Sequence, residues 1–392
     1  MNPIYLDHNA TTPIDPAVLA EMLPFLREEF GNPSSAHPRG RRAHEAVEQA
    51  RVEVAALIGA RADEIVFTSG GTEATNMAIR GAVAAAAERR AVVTTALEHP
   101  ATEECCRLLA RDGHLVRRVA PALDGLVDPQ AVADALDDDT ALVTIIHAQN
   151  EIGTVQPVGE IASAARSIGA VVHADAAQSL GKIPVEVDAL GVDLLSIAGH
   201  KLYAPKGIGA LYVRRGVELP RLLAGAGQER GRRPGTENVA GIVGLGAACR
   251  IAARSLTGAI DTMTRLRDML LGALRDAVPG LVLVGHPDRR LPNTLNVLFP
   301  DASGRGVLEA CPRVLASTGS ACHAGSEEPS AILLALGIGR DEGLGAVRLS
   351  LGRATTAADI DAAAASLAAA WRLVADRVGV RPERRRHLRY GA

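Results

Sequence analysis

Five short segments carry residues whose types could do chemistry. In SIAGHKLYAPKGIGAL, apolar residues run up to Gly199-His200 and then Lys201. An ammonium drawn into such a setting has its pKa lowered, which suits it to Schiff-base formation; a loop lysine on the surface is the plain alternative. In VVHADAAQ, Asp175 closes an apolar run and Gln178 follows three residues later. A carboxylate in so apolar a place needs a positive partner or a donor, and a protonated pyridine nitrogen would serve; the plain alternative is a helix N-cap. Ser69-Gly70-Gly71-Thr72-Glu73 follows the strand-like EIVFTS and opens a helix. Glycines let backbone approach an anion and a helix N-terminus offers free N–H groups, although this is neither a Walker sequence nor GxGxxG. His99, in TTALEHPAT, could stack on a ring or move protons. Cys322, in ASTGSACHAGSEEPS, is set among Gly, Ser and Ala, which predict an exposed loop where a thiol near positive charge becomes a usable thiolate.

Each signal alone is modest. Taken together, a phosphate cradle, a buried acid, a lysine and a stacking histidine are the parts a pyridoxal phosphate site requires.

The elements that must position these residues alternate through residue 215. Asp15-Pro16 reads as an N-cap with proline in the first turn, opening a helix to about Phe30, and a second helix runs from His37 to Leu57. Strand-like runs follow at Glu64–Ser69, Ala91–Thr95, Leu142–His147, Ala170–Asp175, Leu194–Ala198 and Ile208–Val213. Several are apolar on both faces, as in VTIIH, which is how a parallel strand covered on both sides reads. Strands alternating with helices predict a doubly wound α/β domain, with chemistry at the carboxyl ends of its strands. The four signals of the first half sit at such ends. Beyond about residue 255 the texture changes to a long helix from about Ala259 to Val278, strands at Val282–Val284, Thr294–Leu298 and Val347–Ser350, and an Ala-rich helix from about Ala357 to Ala375. This predicts a large domain over residues 15–255 and a smaller α/β domain of residues 1–14 and 256–392, which carries the cysteine loop at about 316–330.

Composition narrows the function classes. The 392 residues carry 42 Lys+Arg against 45 Asp+Glu, a formal charge of −3, which argues against a nucleic-acid binder. Aromatics at 2% give no row of stacking platforms for single strands. The five cysteines, an odd count with no CxxC pair, argue against a disulfide framework or structural zinc and for a reducing, cytoplasmic setting. The first residues, MNPIYLDHNATTP, do not read as a signal peptide, and no run of 18 apolar residues is free of charge. The basic RPERRRHLRYGA reads as a solvated tail.

With these residues in place, the sequence resembles the cysteine desulfurases, pyridoxal-phosphate enzymes of the class V aminotransferase family and fold type I. The matching segments span nearly the whole chain in order: YLDHNATTP, FGNPSSAHPRGRRA, IVFTSGGTEATN, EHPAT, QNEIGTVQPV, HADAAQSLGK, GHKLYAPKGIGAL, GQERGRRPGTEN, STGSACHAGSEEPS and VRLSLGRATT. The resemblance implies a large domain with a mostly parallel seven-stranded sheet. It implies that Lys201 links to the cofactor aldehyde, that His99 stacks on the ring and moves protons, and that Asp175 pairs with the ring nitrogen. Gln178 and Asn150 would lie at the phenolic oxygen, and Gly71, Thr72 and His200 at the phosphate. Thr236 would reach the phosphate of a neighbouring subunit, which implies a homodimer. Arg353, with Asn32 and Asn150 near it, would hold the substrate carboxylate. Cys322 would be the nucleophile that takes sulfur from L-cysteine, leaves L-alanine, and hands the persulfide to an acceptor protein, as in iron–sulfur cluster assembly.

One departure matters. Many desulfurases have Ser where this chain has Ala198, so one phosphate hydroxyl is missing. Selenocysteine lyases of the family also carry an apolar residue there and an ACH cysteine segment, which keeps that activity as the alternative. An aminotransferase or β-lyase has no need of a thiol at Cys322. A non-catalytic binding module that kept the fold has no need of Lys201, His99, Asp175, Arg353 and Cys322 together.

Overall fold

The computed structural model describes residues 3–86, 88–318 and 328–378, and the side chains of 377 and 378 lie outside this description. Cys322 and the tail therefore fall outside the described residues. The strands are β1 (Ile4–Tyr5), β2 (Ile65–Thr68), β3 (Ala91–Thr95), β4 (Leu115–Val119), β5 (Thr140–Ile146), β6 (Val171–Asp175), β7 (Leu194–Ala198), β8 (Gly209–Val213), β9 (Val282–Val284), β10 (Thr294–Leu298), β11 (Val314–Leu315) and β12 (Ala346–Ser350). Seven of them form one sheet in the order β2-β8-β7-β6-β5-β3-β4. All its pairings are parallel except the two made by β8. β2, β3, β5, β7 and β8 are buried at every residue, because helices cover both faces of the sheet.

Three differences from the sequence reading have physical causes. β4, LVRRV, reads as polar, and it forms the sheet edge, with Arg117 and Arg118 paired to Asp137 and Glu103. The long helix runs Val239–Ala277, twenty residues earlier than the pattern predicts. Its early glycines serve close helix packing: a Cβ on Gly244 would come within 2.7 Å of Met22, and one on Gly246 within 2.7 Å of Ala50. Residue 255 thus lies inside a continuous helix. Ile242, Leu245, Ala248 and Ala252 pack into the main core, while Leu266, Leu270 and Leu274 pack into a second one with Leu295, Val347 and Leu349. Although the helix is long and apolar enough by composition to cross a membrane, over half of its most apolar window is buried inside the protein, as in a core helix.

The second core lies on a three-stranded antiparallel sheet, β12-β10-β9, joined by Ile4 and Leu6. β1 pairs in parallel with β11, so the first residues of the chain run beside residues some 310 positions later (Ile4 faces Val314).

Candidate active site

β6 and β7 end side by side, with Asp175 registered against Ser196. Three residues past β7, at the end of a short 3-10 turn, stands Lys201. Its amine donates to two backbone carbonyls of the N-terminal segment, Asn9 O and Ala10 O, the latter at 2.8 Å. Burial pushes the ammonium down to about 8; Arg348 pushes the same way, and Asp175 and Asp7 partly oppose. Such an amine gives up its proton near neutral pH, as a Schiff-base lysine must.

Asp175 is 5% exposed and accepts the Ala177 N–H at 2.9 Å, so it acts as a local cap as well. Its charge also acts on His99, Lys201 and Glu98, which places these groups together. His99 caps the helix Pro100–Arg111 by accepting the Ala101 N–H on Nδ1. Burial lowers its pKa despite Asp175, and Lys201 adds to the lowering. A neutral ring with Nδ1 used as acceptor carries its proton on Nε2. Under the strands, a buried polar chain crosses the sheet: Thr144 Oγ1 to His173 Nδ1 at 2.8 Å, His173 Nε2 to Ser196 Oγ at 2.8 Å, and Thr75 Oγ1 to Ser196 Oγ at 3.1 Å. It ties β5, β6, β7 and the cradle helix Gly71–Ala85 together just before Asp175.

The cradle is the turn Ser69–Thr72 with the first N–H groups of that helix, which the helix cannot pair itself. Thr72 is exposed there. A Cβ on Gly71 would lie 3.1 Å from the Ala198 methyl, and a Cβ on Gly209 would lie 2.7 Å from Gly70. Ala198 therefore faces the cradle, and a hydroxyl at that position would too. Glu73 binds the turn through the Ser69 N–H at 2.7 Å and receives Arg233 Nε at 2.8 Å. Arg233 belongs to the loop that carries the exposed Thr236, so this loop is fastened to the cradle. Glu229 fastens it further, with a two-pronged buried ion pair to Arg51 and the Phe67 N–H. His200 sits on the other flank, its Nδ1 3.1 Å from Thr11 Oγ1, and burial holds its pKa down to about 4.

Arg353 shares a cavity with Lys201, Lys182, His8, Tyr203 and Asn293. Its guanidinium lies over the Tyr203 ring at 4.5 Å, and NH1 is buried without a partner. A buried unpaired cationic donor is costly until something anionic comes to it, and a carboxylate is the group whose two oxygens match a guanidinium. Asn150 stands near, its carbonyl accepting from Asn9 Nδ2 at 3.1 Å and Arg348 NH1 at 3.3 Å. Asn32 is exposed, its side-chain oxygen taken by the Ser34 N–H, and no described contact joins it to this group.

The sequence reading assigned no role to Asn9, Lys182, Arg348 or Glu98, whose residue types carry no local signature. Arg348 pairs with Asp7 at 2.7 Å. Glu98 is pushed up to about 8, by burial first and Asp175 among the lesser causes, so its carboxyl is largely neutral at pH 7. The four described cysteines, Cys105, Cys106, Cys249 and Cys311, are buried and unpaired, with burial raising each thiol.

The residues present fit pyridoxal phosphate: a depressed lysine amine, a buried carboxylate beside it, an open N–H cradle, and an unpaired guanidinium for a substrate carboxylate. Comparison with known proteins gives the family. The family model "Aminotransferase class-V" matches residues 4–363. A cysteine desulfurase of Nostoc sp. is 47% identical over 363 residues, covering 92% of this chain and 91% of its own. A solved NifS-like protein superposes with a TM-score of 0.89 at 36% identity, covering 95% of this chain and all of its own. A structure described as SspA in complex with cysteine gives a TM-score of 0.79 at 37% identity, over 88% and 98% of the two chains. The chain is a member of the class-V aminotransferase family, with the NifS-like fold.

Proposed function

We propose that this chain is a pyridoxal-phosphate-dependent L-cysteine desulfurase, a sulfurtransferase that converts L-cysteine to L-alanine and loads persulfide sulfur onto Cys322. The observation that carries the reading is the buried, depressed Lys201 amine beside the same small space of about 10 Å³ as the unpaired Arg353 guanidinium. The desulfurase relatives, and the relative whose structure holds cysteine, support the substrate. Lys201 would hold the cofactor aldehyde, Asp175 its ring nitrogen, Gln178 and Asn150 its phenolic oxygen, and His99 its ring face. Gly71, Thr72 and His200 would hold its phosphate, with Thr236 of a second subunit. When bound, the cofactor supplies an aldehyde that captures the substrate amine and a ring that takes up electron density from the α-carbon.

The chain's own residues do the rest. Arg353 orients the substrate carboxylate with two parallel N–H donors. Lys201, released as a free amine, takes and returns a proton at the α-carbon near neutral pH. His99, neutral with its proton on Nε2, can donate on that side. The Cys322 thiolate bonds to the substrate sulfur; the Cβ–S bond breaks and its electron pair stays with the carbon skeleton, which picks up a proton to become alanine. The unit of residues 1–14 and 256–392 would carry the cysteine loop to an acceptor protein, in a homodimer working in the reducing cytoplasm.

Substituting Cys322→Ala tests this. Sulfur release from L-cysteine should fall by about 10³-fold or more while cysteine still perturbs the visible spectrum of the loaded protein. Full activity in C322A would overturn the nucleophile. A higher kcat/KM for selenocysteine than for cysteine would make the chain a selenocysteine lyase instead.

A further inference from the structure

Lys182 is a second lysine within the site, 6% exposed, and no carboxylate pairs with it among the described residues. Its amine donates to Gln178 Oε1 at 2.7 Å and Asn9 Oδ1 at 3.0 Å. Burial, with Lys201 and Arg348 adding to it, pushes its ammonium well below its ordinary range. The charged and titratable groups that act on it, or on which it acts, are Lys201, Arg348, His8 and His200. Two acceptors are what the two N–H bonds of an uncharged amine require.

Both contacts fix something else. The Asn9 carbonyl can only accept, so the Gln178 NH2 faces it and the Gln178 oxygen faces Lys182, whose N–H holds the amide in that sense. That NH2 gives one hydrogen to Asn9 O at 2.9 Å and keeps the other. Asn9 in turn is held by Asn293 at 3.1 Å and Thr294 at 2.8 Å, and its carbonyl is one of the two that receive the Lys201 amine.

We propose that Lys182 is a positioning residue for the cofactor site: it turns the Gln178 amide so that an N–H faces the cofactor's phenolic oxygen, and through Asn9 it holds the carbonyl pair, Asn9 O and Ala10 O, where the Lys201 amine docks whenever it is not bonded to cofactor. The inference rests on the pyridoxal-phosphate reading above. It makes the N-terminal segment the resting place of the free lysine between its release and recapture.

The test uses the full-length protein stripped of cofactor and reloaded with pyridoxal phosphate. Wild-type protein should turn yellow, carry the borohydride-reduced label on Lys201, and capture cofactor at a rate that levels off above pH about 8. Should wild type not do so, the cofactor reading falls and takes this inference with it. In Lys182→Met, capture should slow by about tenfold, the value of one good hydrogen bond. The pH midpoint of the loaded protein's visible absorbance should rise by about half a unit or more, because a phenolate without its Gln178 donor holds charge less well. Lys182→Gln keeps two N–H donors and should recover part of both effects; it also serves if K182M does not fold. A yellow, labelled wild type together with a folded K182M at wild-type rate and midpoint, or with a K182Q no better than K182M, would overturn the role of Lys182 alone.

Discussion

Asn9 and Arg353 both border Lys201, and they are treated in opposite ways. Asn9 is 1% exposed and every polar atom it has is used: its N–H goes to Ser350, its carbonyl takes Lys201 and Gln178, and its amide bonds four further groups. Arg353 has a buried NH1 with no partner, and its described contacts are the Tyr203 ring and the Tyr203 hydroxyl, which accepts its backbone N–H at 2.7 Å. The first arrangement is complete without any ligand and so fixes geometry. The second carries a standing desolvation cost that only an anion removes. Completed groups belong to the scaffold, and incomplete ones mark where substrate goes.

The largest effect that could break this contrast lies at Arg353. Arg353→Met should raise the KM for L-cysteine by about 100-fold with a smaller change in kcat, since a two-pronged charged contact is lost. Its thermal midpoint should stay level or rise, because an unpaired buried cation goes with it. A clear fall in that midpoint, with KM unchanged, would make Arg353 a scaffold residue. Asn9→Ala should behave in reverse, lowering unfolding free energy by about 2–4 kcal/mol as several buried partners lose their bonds. Chemical denaturation measures it, and a loss below about 1 kcal/mol would show that the cluster reorganises easily. The smallest effect is expected at the cradle. Ala198→Ser places a hydroxyl facing Gly71 and should tighten cofactor binding by up to about tenfold, read by titration of the stripped protein. Looser binding would mean the cradle is already filled around the methyl.

Much of the scaffold was legible because burial on both faces leaves a plain mark: β3, β7 and β10 run as the apolar pattern predicts. Polar or glycine-rich stretches hid the rest. β4, with its two arginines, is absent from the strand-like runs, and the long helix is read only from about Ala259, whereas its glycines pack from Val239 on against Met22 and Ala50. Within the site, Lys201, Asp175 and His99 stood out because each ends a strand or begins a helix. Asn9, Lys182 and Arg348 did not, since their meaning lies in partners distant in sequence. Asn9 reaches residues 150, 293, 294 and 350, and no local pattern encodes such a meeting.

That distance has a consequence for synthesis. The Asn9 N–H bonds a serine 341 positions later. At about 5–20 residues added per second, roughly 20–70 seconds separate the emergence of the two from the ribosome. The large sheet can form in that interval, and Gln178, Lys182, Lys201 and His200 can already bond the segment that receives Lys201, but its bond to Ser350 waits for β12. A growing chain can thus dock its reactive lysine before the small sheet exists, and the last strand of that sheet adds the final fastening to the Asn9 segment.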